Sequence, residues 1–172
     1  FSLLMVLLVH LLFMPFPLGG EYYLFYLFLM VIPALVFMIG FSFFVVTWIR
    51  NRVLSVIFLL GFLGTTIFYL SDCLFGLFDP LGLSLPSAFS RITGHSDIWG
   101  YFLQRGMWFF LGLSFVGLTI LKFDRIPNRV SCVGKRVLVL FFLIIGILCG
   151  GSFFFLQQNK FWERLNYRSI YE

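Results

Sequence analysis

The chain has 172 residues, 61% of them hydrophobic, 22% aromatic and 11% charged, with a mean hydropathy of +1.04. Soluble domains carry about 25% charged residues, so this composition excludes a soluble enzyme, a disordered chain and a disulfide-stapled secreted domain, and points to a polytopic membrane protein. Lys and Arg number 12 against 7 Asp and Glu, a net charge of +5; the basic residues lie mostly between apolar runs, so topology and anionic lipid headgroups account for them and nucleic acid does not.

Taken in order, the apolar runs predict helical spans, each needing about 20 residues to cross roughly 30 Å of hydrocarbon. The first, Phe1 to Phe16, ends at Pro15 and Pro17 and is followed by the turn-forming Leu18-Gly19-Gly20-Glu21. It has neither a charged start nor a small-residue cleavage site, so it reads as a truncated transmembrane helix, and the chain as a piece of a longer polypeptide. The second, Tyr22 to Trp48, carries Tyr22, Tyr23 and Tyr26 at one end and Trp48 at the other, the positions that amphipathic aromatics take at membrane interfaces. Pro33 is expected to kink it, and Gly40 and Ser42 offer a neighbouring helix a close approach.

Arg50-Asn51-Arg52 separates this run from the third, Val53 to Leu70. So short a connection makes the two spans antiparallel neighbours. Gly61 and Gly64 are a further close-packing candidate. The stretch from Ser71 to Gly100 is broken by Gly76, Asp79-Pro80, Gly82, Pro86 and Gly94. An interfacial or re-entrant segment with a short helix near Pro86 to Ile92 fits it better than a straight span.

The fourth run, Tyr101 to Leu121, has Gln104 and Arg105 one turn inside its start. Arg105 is expected to snorkel to the headgroups, and Gly106, Gly112 and Gly117 suggest tight packing. A polar loop from Lys122 to Arg136 leads to the fifth run, Val137 to Leu156, and then to a polar tail. The expected fold is therefore all-α. It is a polytopic transmembrane helix bundle with spans near 1–16, 22–48, 53–70, 101–121 and 137–156, a broken segment over 71–100 and an extracytoplasmic tail over 157–172.

With alternating spans, Arg50, Arg52, Lys122, Arg125, Arg129, Lys135 and Arg136 fall on one side, and Arg91, Arg105, Lys160, Arg164 and Arg168 on the other. Of the acids, only Asp124 joins the first group. The first side is placed in the cytoplasm. Cys73, Cys132 and Cys149 then lie outside, inside and in lipid, and read as unpaired.

Motifs of chemistry are scarce. HExxH, GxSxG, P-loop and strand-led GxGxxG patterns are absent from the sequence. His10 and His95 are too few and too far apart for a metal or haem site, and no metal or other cofactor is expected. His10 reads as a hydrogen-bonding residue between helices. Asp72, Asp79 and Asp97 read as solvated loop residues, and no acid sits near the centre of a run, which disfavours proton coupling. Asp124 and Arg125 read as a weakly paired loop or as a contact surface for a cytoplasmic partner.

Three stretches together resemble the membrane domain of bacterial ABC-2-type transporter permeases. They are IPALVFMIGFSFFVVTWIRNRVLSVIFLLGFLGTTIFYL (Ile32 to Leu70), FDPLGLSLPSAFSRITGH (Phe78 to His95) and YFLQRGMWFFLGLSFVGLTILKFDRIPN (Tyr101 to Asn128). The resembling features are a Pro-led span, an Arg-Asn turn, a DP loop with Ser-Leu-Pro, a Gly-His step, a Gln-Arg pair opening the next span, and Arg-Ile-Pro-Asn closing it.

The resemblance implies a non-enzymatic permease in the bacterial inner membrane. Energy for an unknown substrate would come from a separate ABC ATPase subunit, and the permease would pair with a second copy or half. It makes Arg50, Arg52, Asp124, Arg125 and Arg129 candidate ATPase-coupling residues. Long members of the family carry further helices and a large extracytoplasmic part, so the chain is not expected to transport alone. Two other readings stand beside it. One is a structural or assembly subunit of a larger membrane complex. The other is an intramembrane enzyme, disfavoured because the runs lack paired carboxylates, a Ser/His pair or a His cluster.

Overall fold

The computed structural model describes residues 27–70, 73–82, 89–90, 94–95, 98–122 and 132–171. The first apolar run, His10, Asp72, Asp97, Asp124, Arg125 and Arg129 lie outside them. Apart from one two-residue antiparallel pair, the regular elements are helical. Among the described residues, four helices are long and apolar enough to cross a membrane: Phe28–Ile49, Arg52–Tyr69, Ile98–Lys122 and Gly134–Tyr167. The protein is an integral membrane protein on that basis.

A π-helical turn, Leu27–Val31, leads into α1, Ile32–Ile49. Pro33 stands in the first turn of α1, directly after the π-helical turn, and without an N–H it cannot bond back to a carbonyl of that turn. The irregularity expected from Pro33 is thus a change of winding at the entrance to α1, and not a kink in its interior.

The connection to the next helix is as tight as its length requires. Arg50 closes α1 in the left-handed region at φ 56°. Asn51 returns to an extended conformation and caps α2, Arg52–Thr65, its side-chain oxygen accepting from the Val53 N–H at 3.1 Å. The chain therefore reverses, and Phe41 of α1 packs on Phe58 and Phe62 of α2 at ring separations of 6.3 and 4.6 Å. A second π-helical turn, Thr66–Leu70, follows α2.

Beyond it lies a short turn, Cys73–Gly76, and then the pair β1, Phe89–Ser90, with β2, Gly94–His95. Phe89 faces His95 and Ser90 faces Gly94. This corrects the helix expected near Pro86 to Ile92 at the two positions described within it. A single helical turn fixes several residues for very few hydrogen bonds, whereas antiparallel pairing gives both arms partners.

Helix α3, Ile98–Lys122, is the centre of the bundle. It runs parallel to α1, with Phe37 on Trp108 near one end and Trp48 beside Lys122 at the other. The two backbones meet at Gly40 and Gly112. A Cβ on Gly40 would overlap the Gly112 carbonyl, and one on Gly112 would lie 2.7 Å from the Phe37 backbone. Only glycine permits so close an approach. Around it Phe37, Phe41, Trp108 and Phe115 interlock, Phe37 lying edge-on to Trp108 at 4.5 Å and Phe41 lying 5.5 Å from Phe115.

On its other side α3 packs antiparallel against α4, Cys132–Tyr171. Gly117 meets Val139, Gly146 meets Leu111 and Gly150 meets Met107. Gly106 is looser, a Cβ there reaching only the Cys149 sulfur at 3.8 Å, and that thiol is free. Gly61 and Gly64 of α2 were also expected to pack closely. Among the described residues, nothing lies within 4 Å of where a Cβ on either would stand.

Helix α4 has 40 residues, about 60 Å of helix against a hydrocarbon core of roughly 30 Å. Lys135 and Arg136, expected in a loop, lie in its first turns, and the polar stretch from Gln157 continues it as helix to Tyr171. Outward from the bundle, α1 exposes Leu35, Ile39 and Phe43, and α2 exposes Val53, Ile57 and Leu60. Lipid tolerates such faces.

Candidate functional site

Two features stand out from the apolar framework: a buried polar node at the start of α3, and a basic end where all four helices begin or finish.

The node grows from helical spacing. Tyr101, Gln104, Arg105 and Trp108 follow one another closely enough to share one face of α3, Tyr101 with Gln104 and Arg105, and these with Trp108, at intervals of three and four. All four are buried. Opposite them the chain is irregular: Leu74 and Phe75 take φ values of 51° and 60°, and Gly76 takes 79°. Left-handed backbone costs an ordinary residue roughly 1–2 kcal/mol, so the turn needs support.

Part of that support is the Gln104 amide, which donates from Nε2 to the Gly76 carbonyl. The turn also directs Phe75 onto α4, with ring separations of 6.3 Å to Phe154 and 5.8 Å to Phe161. Asp79 then shapes the next turn. Its Oδ1 accepts from the N–H groups of Leu81 at 3.1 Å and Gly82 at 2.7 Å.

Arg105 completes the arrangement. Its Nη1 donates to the Pro80 carbonyl at 3.0 Å, and the Asp79 charge acts on it favourably. Gly82, at φ 78°, lies so close that a Cβ would overlap the guanidinium. Arg105 is 1% exposed and Asp79 2%. These values overturn two expectations: Arg105 does not snorkel to the headgroups, and Asp79 is not a solvated loop residue.

The reason is the broken backbone. Non-helical chain at membrane depth is tolerated only where protein satisfies its carbonyls and N–H groups. Gln104 and Arg105 supply donors to two loop carbonyls, and Asp79 supplies an acceptor to two loop N–H groups. The Asp79 charge offsets part of the cost of burying the guanidinium, since an isolated charge in this environment is strongly unfavourable. The node is built to clamp the segment from Gly76 to Gly82 against α3. Among the described residues it contains no nucleophile–base pair, and no three His, Cys, Asp or Glu side chains come together as metal ligands.

At the opposite end, Arg50, Arg52, Lys122, Lys135 and Arg136 are all exposed. The bundle's alternation brings them there: α1 and α3 finish at this end, and α2 and α4 begin at it. Lys122 lies over the Trp48 ring, 4.5 Å from its centroid, a favourable cation–π contact. Among the described residues no acid lies at this end.

Of the five coupling candidates, Arg50 and Arg52 therefore flank one tight turn on an exposed basic surface. Asp124, Arg125 and Arg129 lie outside the described residues. Residue-by-residue reading missed Gln104, Asp79 and Gly82 as parts of one unit. The available signal was a Gln-Arg pair inside an apolar run, since ionisable residues in a span are functional candidates by default. No family model, curated protein or solved structure matches the chain.

Proposed function

We propose that this chain belongs to a membrane-spanning permease subunit of an ATP-driven transporter of the ABC-2 type, working in a bacterial cytoplasmic membrane with a separate ATPase subunit. The observation that carries the reading is the order of features from Ile32 to Asn128. Two antiparallel spans joined by Arg50-Asn51-Arg52 precede a clamped, broken segment and a span opened by Gln104-Arg105. That order is the basis of the sequence resemblance.

In this mechanism the ATPase docks on the basic end. Its two states differ in affinity for two arrangements of the helices, and only such a difference can move the equilibrium. Arg50 and Arg52 are well placed to receive the motion, because the left-handed Arg50 and the Asn51 cap join α1 to α2 without slack. The sequence resemblance adds Asp124, Arg125 and Arg129 to the coupling residues, and a second permease copy or half completes the path.

The test is affinity capture of the full-length protein from its native membrane, followed by mass spectrometry. A P-loop ATPase is expected in the wild-type capture, and Arg50→Glu with Arg52→Glu is expected to lower its recovery about tenfold, roughly 1.4 kcal/mol. Capture of a multi-subunit membrane complex without any ATPase would instead favour a structural or assembly subunit. Undiminished ATPase recovery by the double variant would remove these arginines from the coupling surface.

A further inference from the structure

We propose that the groove between α1 and α3 at the basic end is a binding site for one anionic phospholipid, with its phosphate on Lys122 and an acyl chain along Phe44 and Leu118. The groove has a volume of about 240 Å³. Phe44, Leu118 and Leu121 give it apolar walls, and among the described residues Lys122 is the only charged one that lines it.

Its two hydroxyl groups are already engaged. Thr47 donates to the Phe43 carbonyl at 2.7 Å and Thr119 to the Phe115 carbonyl at 2.9 Å. The walls therefore offer an occupant methyl and methylene surface with little hydrogen bonding, which suits a hydrocarbon chain and not a polar solute.

The mouth has the opposite character. Lys122 is exposed, and Trp48 beside it is 64% exposed. Trp takes this kind of position at the headgroup level, where one edge of the ring is wet. The nearest turn adds Arg50 and Arg52, and no acid among the described residues offsets them. A single negative phosphate above an apolar chain matches this distribution: cation at the interface, hydrocarbon below. Anionic headgroups are attracted to such basic residues at the cytoplasmic surface. A zwitterionic lipid would fill the groove equally well but would bring a positive group to the same basic mouth.

The test uses the full chain in detergent micelles, titrated with phosphatidylglycerol or phosphatidylcholine of identical acyl chains and read by native mass spectrometry. Phosphatidylglycerol is expected to bind at least fivefold more tightly. Lys122→Gln is expected to lower its affinity about fivefold and to leave phosphatidylcholine unchanged. Lys135→Gln, an exposed cation at the same end but outside the groove, is expected to change neither by more than about twofold. Brominated phosphatidylglycerol locates the site: it is expected to quench a component of the tryptophan fluorescence that Trp48→Phe removes.

Equal affinity for the two lipids would overturn the proposal. So would equal losses from Lys122→Gln and Lys135→Gln, which would indicate a diffuse basic surface. Absence of quenching at Trp48 would mean that protein, and not lipid, occupies the groove.

Discussion

Replacing Arg105 with Met is expected to destabilise the protein by about 3 kcal/mol, because it removes a buried positive charge and its hydrogen bond from a node built around a buried carboxylate. Methionine preserves much of the volume and removes the donor to the Pro80 carbonyl at 3.0 Å. Asp79, 2% exposed, then keeps the N–H groups of Leu81 and Gly82 on its Oδ1 but loses the positive charge beside its turn. Thermal unfolding of the detergent-solubilised protein measures the loss.

The same experiment separates charge from packing. If pairing dominates, Asp79→Asn combined with Arg105→Met is expected to be more stable than the sum of the two single losses by about 1 kcal/mol or more, since both residues act on the same turn and are coupled through it. Arg105→Lys is expected to recover only part of the loss, because an ammonium keeps the positive charge but not the shape and reach that bring Nη1 to the Pro80 carbonyl. An Arg105→Met protein that melts like the wild type would show that the node contributes nothing to holding the broken segment.

The second large effect is at the α1–α3 crossing. Gly112→Ala is expected to cost about 2 kcal/mol, within the range found for overpacked cores. The added carbon would sit 2.7 Å from the Phe37 backbone and 2.8 Å from that of Val36. Backbone cannot rotate away as a side chain does, so the helices must separate, and the contact of Phe37 with Trp108 loosens with them. Gly61→Ala provides the comparison. Nothing among the described residues lies within 4 Å of its added carbon, so the change is expected to be neutral or to stabilise α2 by up to about 1 kcal/mol through helix propensity alone. Opposite signs at the two glycines in thermal unfolding would support this crossing. A loss at Gly61 as large as that at Gly112 would place a further helix against α2.

Glycines differ in how far their sequence signature can be trusted. Gly40 and Gly112 are recognisable as small residues inside apolar runs, and both prove to be points of close approach. Gly61 and Gly64 have the same signature and meet only open space among the described residues. A glycine reports that a neighbour is permitted; whether one is present depends on which face of the helix the bundle covers. Pro33 follows the same rule. Its chemistry demands a break in regular bonding, but its position relative to the helix start decides whether the result is a kink or a change of winding.

The polar residues illustrate a different limit. Asp79 followed by Pro80 and Gly82 looks like any solvated turn, and Arg105 near the start of a run looks like any snorkelling cation. They lie 26 positions apart along the chain (105 less 79). Both are buried because the turn folds against α3, and neither residue's own sequence surroundings reveal that.

The membrane class, the helical character, the antiparallel pair around Arg50-Asn51-Arg52 and the gathering of basic residues at one end were legible along the chain. Each follows from local quantities: the length of apolar runs, the shortness of a connection, the alternation of direction at each crossing. Three things required the folded bundle. They are the choice of α3 as its centre, the clamp of Gln104 and Arg105 on the irregular segment, and the groove between Trp48 and Lys122. All three depend on long-range contacts between elements whose faces look alike in sequence. In a chain this apolar, hydrophobicity places the helices in the membrane but says little about which of them touch; the close fit of glycines and the pairing of buried polar groups make that selection.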